Sequence, residues 1–235
     1  MTTPSFPTTL WTIVLHAGQD ESVQARAALE QLCESYWYPL YSFVRRRGYS
    51  SHDAEDLTQA FFATILEKRA IQRADPEQGR FRTFLLAALK NFLANDWDRN
   101  NALKRGGGRT ILSFQQESAE SRFQLEPGHE LTPERHFERQ WALTLLEQTL
   151  ATLRDEYQSV GKSFLFDELK GALVGETGSY AEIAARVGQT EGAIKVAAHR
   201  LRRRYRELMR AQIAETVGPG EVDDEVRHLM TVLSG

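Results

Sequence analysis

The chain of 235 residues and 26.8 kDa has room for one large domain or two small ones. A hydrophobic fraction of 41% beside 26% charge fills a core and excludes wholesale disorder, while the single cysteine, Cys33, excludes an intrachain disulfide and a cysteine-built zinc site. A net charge of −3 and a pI near 6.1, taken whole, argue against a nucleic-acid binder, but such averages hide local blocks.

Met1 to Thr12 carries no basic leader, and Leu10 to Leu15 is too short for a signal core. No apolar run approaches the roughly 20 residues of a membrane span. A cytoplasmic protein without a membrane partner is expected. The first helix runs from Ala25 through Tyr36, with Ala28, Leu29, Leu32 and Cys33 at helical spacing. Pro39 is expected to break or restart it, with Leu40, Phe43 and Val44 continuing the apolar face to a stop at Gly48. Ser51 is the expected N-cap of a second helix reaching about Arg69, its early acids suiting the positive helix end.

After a turn at Pro76 and Gly79 comes the clearest helix, Phe81 to Arg99. Phe81, Phe84, Leu85, Ala88, Leu89, Phe92, Leu93 and Trp97 share one face, a pattern no strand gives. From 80 to 109, seven Lys and Arg against Asp96 and Asp98 leave +5. Cations among aromatics suit single-stranded nucleic acid, although most of these rings read equally as core. Gly106 to Gly108 closes the block. Residues 109 to 132, rich in Ser, Gln and Glu, read as a flexible linker with short ordered pieces. A helix from Thr132 and Pro133 through Leu153 follows, then one over about Ser163 to Val174. An all-α fold is expected, with no internal repeat.

The sharpest local feature lies between Ser179 and Lys195. Ser179 and Glu182 have the spacing of a capping box, and Gly188 permits a left-handed turn residue. Thr190 caps the next helix, which Ile194 anchors. Ala181 and Ala184 are small enough for two helices to cross closely. This is a helix-turn-helix, which presents its second helix to the major groove. From 195 to 210, seven Lys and Arg stand against Glu207 alone, leaving +6. The start of that helix, Thr190, Glu191 and Lys195, would meet base edges and the later arginines phosphates. Further upstream, Asp53, Glu55 and Asp56 gather three acids on one turn before Phe61 and Phe62, either as dipole-compensating charge or as a face for a basic partner.

Together these residues resemble a bacterial RNA polymerase sigma factor of the extracytoplasmic-function type, over about residues 22–210. The sigma-2 likeness lies in Asp53-Ala54-Glu55-Asp56-Leu57-Thr58-Gln59 with Phe62, then Phe81-Arg82-Thr83-Phe84-Leu85 through Asn91. The sigma-4 likeness lies in Tyr180 to Ala184, Gly188, Gly192 to Lys195, His199 and Arg200. The resemblance implies a sigma-2-like domain over 22–108, a linker over 109–132 and a sigma-4-like domain over 133–212. An N-terminal extension (1–21) and an acidic C-terminal extension (213–235) flank them.

It further implies core RNA polymerase as partner of Asp53, Glu55, Asp56, Gln59 and Phe62. Melted, single-stranded promoter DNA would meet Arg82, Thr83, Phe84, Lys90, Asn91 and Asn95, with residues 75–80 receiving a flipped base. Duplex promoter DNA would meet Thr190, Glu191, Lys195, His199, Arg200 and Arg203. An anti-sigma factor or a regulatory kinase is a candidate further partner, Thr58 being the residue considered for phosphorylation. The chain departs from the family at Phe84, where Trp is common, at Asn95, where Asp is usual, and at Ala197, where Arg is common. Residues 156–178 and the tail are also longer than usual.

The tail's Val222, Val226, Leu229, Met230 and Leu233 form an amphipathic pattern, and residues 211–235 carry −4. The tail is expected to pack on the sigma-4-like domain and shield its basic face. An autonomous helix-turn-helix repressor or activator is the alternative function, one with no need of the Asp53 to Gln59 face. An enzyme is disfavoured. Its six histidines (His16, His52, His129, His136, His199 and His228) are scattered, and neither a phosphate-binding loop nor a nucleophile elbow is present. No cofactor and no metal are expected.

Overall fold

The structure is a computed structural model that describes residues 23–67, 80–102, 116–126, 131–176, 178–218 and 220–234. All regular structure among them is helical. In chain order the helices are α1 (Val23–Arg46), α2 (Ser51–Glu67), α3 (Phe81–Ala102), α4 (Gln116–Leu125) and α5 (Pro133–Ser159). Then follow α6 (Ser163–Leu169) with a 3-10 turn (Lys170–Leu173), α7 (Tyr180–Val187), α8 (Glu191–Ala214) and α9 (Val222–Ser234). The chain divides into two compact units, Met1–Thr144 with Ile213–Gly235, and Leu145–Gln212.

In the first unit α1, α2 and α3 bury their apolar stripes together. Tyr36, Leu40, Phe43 and Val44 meet Phe61, Phe62 and Ile65, and Phe81, Leu85, Leu89 and Leu93. Contrary to expectation, α1 runs unbroken through Pro39. A mid-helix proline costs about 3 kcal/mol, yet each large apolar side chain buried beside it returns about 1.5–3 kcal/mol. Tyr36, Trp37, Tyr38 and Tyr41 all lie on this stretch, with Trp37 stacked on Tyr41 at 5.2 Å between ring centroids. The helix stops at Gly48, whose φ of +93° suits glycine. Ser50, not Ser51, caps α2: its Oγ accepts the Asp53 N–H at 3.1 Å. The Ser51 hydroxyl lies 3.1 Å from the Tyr41 hydroxyl instead. The helix is described to Glu67, and its expected end near Arg69 lies outside the described residues.

Helix α4 is an ordered piece inside the stretch read as a linker, and it is clamped to α1. Arg45 donates from Nε and Nη2 to the Glu120 carboxylate at 3.0 and 2.8 Å, and the Tyr41 hydroxyl donates to it at 2.6 Å. Arg45 and Arg46 also lie over the Phe123 ring, at 4.7 and 4.9 Å from its centroid. Ion pairs with a patterned partner thus order a segment whose composition alone favours a linker. Gly106 to Gly108, most of the 75–80 loop and the 1–21 extension lie outside the described residues.

The second unit has its own core. Leu153 of α5, Phe166 and Leu169 of α6, Ala172, Ile183 and Ala184 of α7, and Ile194, Ala198 and Leu201 of α8 are all buried together. The helix expected over Ser163 to Val174 is α6 continued by the 3-10 turn.

Candidate nucleic-acid interface

The turn between α7 and α8 is built as its residue types dictate. Gly188 takes φ +70° and ψ +35°, a left-handed conformation that other residues adopt at a cost. Thr190 Oγ accepts the Ala193 N–H at 3.2 Å and so caps α8. Ser179 precedes α7 with extended dihedrals but makes no side-chain cap bond, so the expected capping box does not form. Ile183 and Ala184 pack inward, whereas Ala181 faces solvent, so Ala184 alone serves the close helix crossing. These features join α7 to α8 through a tight turn, with Ile194, Ala198 and Leu201 holding α8 by one face.

The opposite face of α8 is basic and open. Thr190, Glu191, Lys195, His199, Arg200 and Arg203 are all exposed. Glu191 pairs with Lys195 at 2.7 Å, and this hydrogen bond raises the lysine pKa. Such solvent-exposed pairs are weak and exchange readily for phosphate. Other arginines of the run have structural duties. Arg202 donates to the Ala172 carbonyl at 2.8 Å and to the Tyr180 hydroxyl at 3.3 Å. Arg204 makes a two-pronged pair with Glu156 at 2.9 and 2.6 Å, which lowers the Glu156 pKa. The +6 of this segment therefore overstates the charge free to meet DNA. Beside α8 an open groove of about 640 Å³ runs between Val160, Leu165 and Val196, with Lys162 and Arg200 among its lining residues.

In the first unit the acids of α2 stand on its outer side. Asp53 and Asp56 are exposed, Glu55 and Gln59 are half-buried, and Phe62 is buried beneath them. Gln59 Nε2 donates to Glu55 at 3.5 Å. Thr58 is not part of this face. It is fully buried and donates its hydroxyl to the Ala54 carbonyl at 2.6 Å, so a kinase has no access to it in this fold.

Along α3, Thr83, Asn91 and Asn95 are exposed, and Phe84 is half-buried against Phe81. Lys90 is half-exposed and pairs with Glu134 at 2.7 Å. Arg82 departs from expectation. Only 2% exposed, it donates from Nε to Glu138 at 2.6 Å and from Nη1 to Glu225, and it lies over the Trp141 ring at 4.6 Å. An exposed contact to melted DNA is not what this conformation offers. The residues responsible, Glu138, Trp141 and Glu225, were not singled out from sequence. Glu225 left a signal nonetheless: it falls between Val222, Val226 and Leu229, an acid inside an apolar stripe. Nor does the tail behave as expected, since α9 and the residues before it pack within the first unit.

Residues 32–102, spanning most of α1 and all of α2 and α3, match the family model of Sigma-70 region 2. The match covers less than a third of the chain, and the likeness it shows is confined to these residues. No curated protein and no solved structure matches the chain. Among the described residues no helix is long and apolar enough to cross a membrane.

Proposed function

We propose that the chain is a sigma factor of the extracytoplasmic-function type, which docks on core RNA polymerase and directs it to promoters with two recognised elements. The observation that carries this reading is the order of parts: a region-2 match over residues 32–102, followed by a helix-turn-helix with a basic outer face on α8. Asp53, Glu55, Asp56 and Gln59 would meet a basic surface of the polymerase, with Phe62 fixing α2 from below. Thr83, Phe84, Lys90, Asn91 and Asn95 would line the path of the melted strand, where rings stack bases and cations hold phosphates. Thr190, Glu191, Lys195, His199, Arg200 and Arg203 would read the upstream element as duplex in the major groove.

Run-off transcription with purified core polymerase and a genomic fragment library tests the proposal. The expected outcome is initiation that depends on this protein and stops when Asp53 and Asp56 are both replaced by Lys. Duplex binding without core-dependent initiation on any fragment would instead make the chain an autonomous helix-turn-helix regulator.

A further inference from the structure

The tail closes over the beginning of α3. The Phe81 N–H donates to the Thr216 carbonyl at 3.3 Å, and Val217 and Leu229 are buried. Glu225 is 1% exposed and faces two arginines: Arg80, whose Nε lies 2.8 Å away, and Arg82. Glu138 completes the cluster, receiving Arg82 Nε and standing 3.0 Å from His228 Nε2. Two guanidinium groups, from α3 and the residue before it, and two carboxylates, from α5 and α9, therefore share one site.

A buried ion cluster contributes little net stability against an apolar replacement, but leaving one member unpaired is costly. Whatever displaces Glu225 must bring its own negative charge. A phosphate accepts a guanidinium fork in the geometry a carboxylate does, and nucleic-acid backbone supplies phosphates in series. Arg80 and Arg82 sit at the start of the helix assigned above to the melted strand, beside exposed Thr83 and half-buried Phe84. The helix that covers them depends on its docking for its order. With 13 residues, α9 is too short to be stable alone. Asp223, Asp224, Arg227 and Met230 face solvent, and the connection to it turns at Gly220, with φ +89°.

We infer that α9 is an autoinhibitory strap, in which Glu225 occupies Arg80 and Arg82 as a phosphate mimic and yields them to single-stranded DNA when the strap undocks. The inference rests on the proposed assignment of α3 to the melted promoter strand. It makes the tail a competitor for that strand, so free protein binds DNA poorly until the strap opens.

Hydrogen exchange and oligonucleotide binding by the full chain test it. A bound single-stranded oligodeoxynucleotide speeds amide exchange across residues 222–234. Glu225→Gln keeps the side-chain shape and removes the charge. It raises single-strand affinity on the order of tenfold, one charge-assisted hydrogen bond's worth. It also steepens the salt dependence by about 0.7 for each arginine recruited. Leu229→Ala loosens the strap without touching its charge and raises affinity too, so it carries the test if Glu225→Gln does not fold. Equal protection of α9 with and without oligonucleotide overturns the strap, as does a folded Glu225→Gln protein with wild-type affinity and salt slope. Core-dependent initiation by that protein, at wild-type open-complex yield, sinks the strap while leaving the sigma-factor reading intact. Loss of core-dependent initiation in the wild-type chain removes both.

Discussion

Glu120 holds α4 on α1, and its removal should be measurable. The carboxylate receives two hydrogen bonds from Arg45 and one from Tyr41, with side-chain exposures of 23% for Glu120 and 19% for Arg45. That places the pair between the buried limit, about 3–5 kcal/mol for removal of one partner, and the surface limit of about 0–1 kcal/mol. Arg45 keeps its bond to the Tyr49 carbonyl and its place over Phe123, which softens the loss. Glu120→Ala should therefore cost about 2 kcal/mol and Glu120→Gln about 1 kcal/mol. Urea unfolding at neutral pH measures these values, and a cycle with Arg45→Ala isolates the pair.

The hydrogen bond from Arg45 holds the Glu120 carboxyl at about 2, below its ordinary value of 4.5. A depressed folded value means that the contribution is full above 4.5 and is lost as pH falls toward 2. The gap between wild type and Glu120→Gln should narrow through that window, with exchange in α4 quickening in parallel. A coupling energy under about 0.3 kcal/mol, or a gap that stays constant down to about pH 3, would refute the clamp.

Thr58→Glu, which would mimic phosphorylation of an exposed face, should instead destabilise the first unit by about 3 kcal/mol or more, because it forces a charge into a fully buried site. Thermal unfolding gives the value, and wild-type stability would mean that the site is open. Gly188→Ala should cost about 1–2 kcal/mol by placing a Cβ on a left-handed residue. Since nothing lies within 4 Å of that Cβ, the cost is backbone strain alone. Duplex binding should weaken while exchange in α2 and α3 stays unchanged.

Local features were legible in the chain itself. Helical periodicity, the αL glycine at 188 and the threonine cap at 190 all follow from contacts within four residues. The blocks of opposite charge were legible too, and in the first unit they find one another. Glu120 meets Arg45, Glu134 meets Lys90, Glu138 meets Arg82, and Glu225 meets both Arg80 and Arg82.

Which partner each charge takes was not legible. Arg82 and Glu225 stand 143 positions apart, and no local pattern joins them. The same holds for Thr58, whose burial depends on what packs over α2, and for Pro39, which stays helical because the surrounding aromatic burial exceeds its cost. The sequence by itself determined the long amphipathic helices and the turn at Gly188, since side-chain periodicity and the backbone freedom of glycine are properties of neighbouring residues. Only the tertiary structure decided which charged side chains remain free for a partner, since burial and ion pairing bring together residues distant in the chain.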